Sequence, residues 1–126
     1  MTSIRAALAA ILVGIALAGC GTGPAGPVPS PPADGAAVTA DALAFDRERL
    51  EVPAGRTFRL LFENREAAPH NVSILEDGTA VFTGEVFGGP SWRMYEVPPL
   101  DAGTYRFRCD LHPEMTGEVI AADADR

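Results

Sequence analysis

Tyr105, Phe107 and Cys109 alternate with Arg106 and Arg108. A two-residue period of this kind belongs to a β-strand with one face in a core and the other in water. The same period runs through Phe58, Leu60 and Phe62, with Thr57, Arg59 and Leu61 on the opposite face. Val72–Leu75 and Thr79–Phe82 flank Glu76-Asp77-Gly78, and an Asp-Gly pair between short apolar runs marks a hairpin. Trp92–Val97 and Thr116–Ala121 read as further strands, as do Leu43–Phe45 and Leu50–Val52. No segment keeps a helical period, and Thr83–Ser91, rich in glycine, is expected to be an irregular loop. Strands this short and this closely spaced predict an all-β chain folded as an antiparallel β-sandwich of about seven or eight strands.

The strands fill only the second part of the chain. Ala6–Ala18 is an apolar run behind Arg5, too short to span a bilayer, where about 20 apolar residues are needed. Residues 1–19 are therefore expected to be an export signal, and Leu17-Ala18-Gly19-Cys20 resembles the lipobox of bacterial lipoproteins, with Cys20 as the lipidated residue. Residues 20–37 are rich in proline and glycine and nearly free of large apolar side chains, so they are expected to be a tether. Residues 38–126 form one domain, its strands ending near Ala122, close to the lower size limit for a single unaided core. With Cys20 assigned to lipid, Cys109 is the domain's single cysteine, and no disulfide can form within it.

Charge excludes one large class of function. The chain has 10 arginines, no lysine and 17 carboxylates, so without Arg5 the count is 9 − 17, or −8. No basic stripe is available for nucleic acid, and none is expected as a partner.

Scarce metal-binding residues collect in two places, Pro69-His70-Asn71-Val72 and Cys109-Asp110-Leu111-His112-Pro113-Glu114-Met115. A thiolate, two imidazoles and a thioether form a soft nitrogen and sulfur set that suits copper cycling between Cu(II) and Cu(I). The strand alternation aims Cys109 inward, and a short loop containing Pro113 can bring His112 and Met115 back over the same ion. His70 must arrive from a separate connection, so the site forms only with the fold. Asp110 and Glu114 read as solvated, and Met94 as a core residue. A Cys109–His112 nucleophilic pair lacks a third orienting residue. Zinc on Cys-His-His is geometrically allowed, but a methionine placed as fourth ligand favours copper.

At these residues the chain resembles the cupredoxin family of blue, type 1 copper proteins. The Cys-x-x-His-x-x-Met spacing is the short form, similar to amicyanin, whereas plastocyanin uses a longer interval. The likeness extends over Val52-Pro53-Ala54-Gly55, Phe62-Glu63-Asn64 and Ala102-Gly103-Thr104-Tyr105. It implies a Greek-key sandwich in which His70, Cys109 and His112 are equatorial ligands of one copper ion and Met115 is axial. It further implies that Asn71 pins the ligand loop and that Pro113 lies beside the exposed edge of His112. The expected function is one-electron transfer to redox protein partners by a monomer that is not an enzyme. Its expected place is outside the bacterial cell membrane, on a lipid anchor. Copper capture or delivery without electron transfer uses the same four ligands and is the alternative.

Overall fold

The computed structural model describes residues 26–124; the expected export signal and Cys20 lie outside the described residues. β1 (Gly35–Asp41), β2 (Ala44–Phe45), β4 (Phe58–Asn64) and β7 (Ser91–Val97) form one sheet in the order β2-β1-β4-β7. β3 (Arg49–Pro53), β5 (Ser73–Glu76), β6 (Thr79–Thr83), β8 (Gly103–Arg108) and β9 (Thr116–Ala122) form the second, in the order β3-β9-β8-β5-β6. The two sheets face one another as a sandwich, and no helix occurs among the described residues.

Alternation places the core as expected. Phe58, Leu60 and Phe62 of β4 and Tyr105 and Phe107 of β8 point inward and are buried, with Val38, Ile74, Val97 and Val119 between them. The β5–β6 hairpin turns on Asp77 and Gly78, at φ of 48° and 83°. Two successive positive φ values are what a type I′ turn requires, and glycine meets that at no steric cost. Tyr105 Oη donates to the Asp101 carbonyl at 2.9 Å and closes the turn before β8.

Three features depart from the sequence reading. Pairing is antiparallel except for β1 with β4 and β3 with β9, which run parallel. Each parallel pair is joined by a connection that passes through the other sheet, and alternation within one strand carries no information about a partner so distant in sequence. The ninth strand, β1, begins at Gly35, three residues ahead of the expected boundary at Val38. Its inward residues Ala36, Val38 and Ala40 are all buried, but alanines give too weak a hydrophobic signal to mark a strand. Met94 is not in the core either. It pairs with Leu61 on the outer face of the first sheet and is half-buried there.

Candidate metal centre

Four connections meet at one end of the sandwich: β1–β2, β4–β5, β6–β7 and β8–β9. His70 comes from the β4–β5 connection and Cys109, His112 and Met115 from β8–β9. Cys109 lies one residue past β8, continues its inward face and is fully buried. The loop after it closes on itself, since the Met115 amide donates to the His112 carbonyl at 2.9 Å and the Cys109 amide to the Met115 carbonyl at 3.0 Å. Pro113 occupies the second position of the His112–Met115 turn, where its fixed φ is already suitable.

His70 is held on all sides. Its amide and carbonyl exchange hydrogen bonds with Phe87, both 3.1 Å, so the expected irregular loop supplies a one-residue strand partner. The Arg93 guanidinium stacks 4.1 Å over the Phe87 ring and steadies that loop. Asn64, at the end of β4, donates from its side-chain amide to the carbonyls of Ala68 and Phe87, tying together the two chains that frame the histidine.

Nδ1 of His70 and Nδ1 of His112 each stand 3.7 Å from Cys109 Sγ, and the three donor atoms lie within 4.8 Å of one another. Donors bound to one metal at about 2.0–2.3 Å stand roughly 3.5–3.8 Å apart, so the spacing fits a single shared ion. His70 Nε2 lies 2.7 Å from Glu66 Oε1. A carboxylate only accepts, so the ring proton is on Nε2 and the Nδ1 lone pair is free, facing the thiol. Met115, buried beside Cys109, adds a thioether from the same loop. Two nitrogens, a thiol and a thioether suit copper better than the harder cations. The His112 ring is half-exposed, and exposed Leu111 and Pro113 lie next to it in the chain.

Two residues of the site were missed or misread in the sequence. Glu66 is one: its Oε1 also accepts from the Leu43 amide at 2.9 Å, and its own amide donates to Asn64 Oδ1. The Leu43 bond foremost, then the weaker pull of the His70 bond, hold its carboxyl below the usual carboxylate range against an opposing effect of burial that ranks between the two. Asp110 is the other. It is solvated as expected, but its Oδ2 also accepts from Asn71 Nδ2 at 2.8 Å and Ser73 Oγ at 2.6 Å, and its Oδ1 accepts from Arg108 Nε at 3.1 Å. Its amide in turn donates to Asn71 Oδ1 at 2.8 Å. Burial pushes the Asp110 carboxyl up, but the bonds from Asn71, Ser73 and Arg108 together outweigh it and hold it low. Asn71 thus clasps the two ligand-bearing segments, with Asp110 as its partner. Glu114 stays exposed. Among the described residues, every buried side-chain nitrogen and oxygen has a hydrogen-bond partner.

Fold and site together define a β-sandwich metalloprotein with one mononuclear centre of nitrogen and sulfur donors at the end of the sandwich. A family model described as a cupredoxin-like domain matches residues 8–121, and the chain belongs to that family. Amicyanin of Paracoccus denitrificans is 35% identical over 91 residues, 70% of this chain and 66% of the relative, so the chain spans just under two thirds of that protein's length. The crystal structure of amicyanin from Paracoccus versutus superposes with a TM-score of 0.56 at 30% identity, covering 72% of this chain and 84% of that one. Reduced auracyanin from Roseiflexus castenholzii shares the fold, with a TM-score of 0.60 at 20% identity over 68% of this chain and 94% of that one.

Proposed function

We propose that the domain binds one copper ion and serves as a one-electron carrier at the cell envelope. His70 Nδ1, Cys109 Sγ and His112 Nδ1 are the strong ligands and the Met115 sulfur is the fourth, weaker one. The observation that carries this reading is the convergence of two imidazole nitrogens on one buried thiol at 3.7 Å each. Copper held there supplies a one-electron couple between its cupric and cuprous states.

The chain's own residues contribute rigidity and exclusion of water. Cys109 and Met115 are buried, His70 is locked by Phe87 and Glu66, and the Asn71–Asp110 clasp keeps the two ligand segments in register. A site that holds its donors in one arrangement exchanges an electron with little reorganisation, which favours a carrier. The half-exposed edge of His112 is the exit for the electron. Four protein donors leave no open position for a substrate, in keeping with a carrier rather than an enzyme. Residues 1–19 are read as an export signal, Cys20 as the lipidated residue and the partners as redox proteins.

Adding Cu(II) to the protein is expected to produce an intense visible thiolate-to-copper band that Cys109→Ser abolishes. A colourless wild-type complex would sink the assignment.

A further inference from the structure

The proline-rich segment ahead of β1 is pinned to the domain at two points. The Trp92 indole Nε1 donates to the Gly26 carbonyl at 3.4 Å, and Arg59 donates from Nε and Nη2 to Asp34 Oδ1 at 3.0 and 2.8 Å. Between these points Pro32 is buried and Pro29 half-buried. The face beneath has its own need for cover. Leu61 points away from the core, because Leu60 and Phe62 beside it point inward, yet it is only 3% exposed. Its pairing partners Met94 and Ala37 are half-buried on that same outer face.

The segment has a direction. Gly35 pairs with Arg59 at the end of the sheet remote from the metal centre. Trp92 is paired with Glu63, next to Asn64, whose amide bonds frame His70. Gly26, where the described chain begins, therefore lies at the metal end.

We propose that Gly26–Asp34 is a docked strap and not part of a free tether, and that it holds the metal end against the membrane surface, so that the redox partner is a protein embedded in the same membrane. The membrane half of this rests on the reading of Cys20 as the lipid anchor. Six residue steps separate Cys20 from Gly26, at most about 21 Å of extended chain, against about 50 Å if the chain were free as far as Gly35. A globular partner of about 100 residues has a radius of gyration of about 13 Å and is roughly 30 Å or more across. It does not fit between Gly26 and the bilayer, whereas an embedded partner needs no such gap.

The strap is tested without lipid on the mature chain carrying Cys20→Ser. Backbone order parameters at Gly26, Val28 and Ser30 are expected near 0.85, as in β1, and values below about 0.6 overturn the strap. The double variant Asp34→Ala with Trp92→Leu is expected to lower them while the β4 amides stay rigid; unchanged values also overturn it. On vesicles, the lipidated wild type is expected to hold Gly26 within about 21 Å of the bilayer by neutron reflectometry, and the double variant to stand farther out. Equal heights overturn the membrane half. In washed native membranes the anchored protein is expected to be reduced without the soluble fraction, and dependence on that fraction overturns the embedded partner. Absence of an acyl mass on Cys20 would instead defeat the anchor reading, and the order parameters would still decide the strap.

Discussion

Glu66 Oε1 receives a hydrogen bond from Nε2 of His70 at 2.7 Å, although no part of the histidine side chain is exposed to water. The carboxylate sets the tautomer, aims Nδ1 at Cys109 and makes the imidazole a stronger donor to a cation. It also adds negative charge close to the metal centre, which favours Cu(II) over Cu(I).

Glu66→Gln keeps the shape and removes the charge. The reduction potential is expected to rise by roughly 20–60 mV, equivalent to about 0.5–1.5 kcal/mol, with copper binding weaker by about tenfold or more. Potentiometric titration of the visible band checks this, and an unchanged or lower potential contradicts it.

Asp110→Ala leaves buried Asn71 and Ser73 without their shared acceptor. The copper-free protein is expected to lose about 1–3 kcal/mol in urea denaturation, the usual cost of stranding buried polar groups. Copper release to a chelator should accelerate, because the clasp between the ligand segments is gone. Unaltered stability together with unaltered release would count against the clasp.

Gly89 donates to the Glu66 carbonyl at 2.8 Å and passes so close to β4 that a Cβ would collide with the Asn64 carbonyl and stand 2.9 Å from the Glu66 oxygen. Gly89→Ala is expected to displace the segment that presents Glu66. The effect should be a loss of about 1–3 kcal/mol and a parallel loss of copper affinity. Denaturation and metal titration of the same variant read both.

Asp34 has its pKa held below the ordinary carboxylate range, first by the hydrogen bonds from Arg59, which outweigh an opposing effect of desolvation. A depressed folded-state pKa stabilises above the unfolded value and is lost as pH falls through the folded one. The strap is thus expected to be ordered at pH 6 and to loosen below about pH 4. Amide relaxation at Ser30, measured at pH 6 and pH 3, should fall with pH; no change would show that the ion pair does not hold it.

Much of the molecule is legible without coordinates. Phe58, Leu60 and Phe62 identify one buried strand, and Tyr105, Phe107 and Cys109 another, because side-chain alternation is a local property of extended chain. Cys109, His112 and Met115 stand out for the same reason, being scarce residues within a seven-residue span. Glu66 and Asp110 carry no comparable mark among 17 carboxylates. Asp110 becomes a clasp only through partners 37 and 39 residues away, and Glu66 only through a loop that turns it onto His70 Nε2. β1 was hidden for a related reason: its small residues matter only once β4 lies beside them.

The positions of every strand but β1, the inward faces of β4 and β8 and the identities of the four candidate ligands thus follow from the sequence itself, since each depends on the spacing of neighbours along one chain. Tertiary structure alone decided the parallel pairing of β1 with β4, the approach of His70 to a thiol 39 residues away, and the pinning of the segment ahead of β1 by Trp92 and Arg59. These depend on which distant segments share a surface, and that choice is made by packing two sheets around one core rather than by any local period.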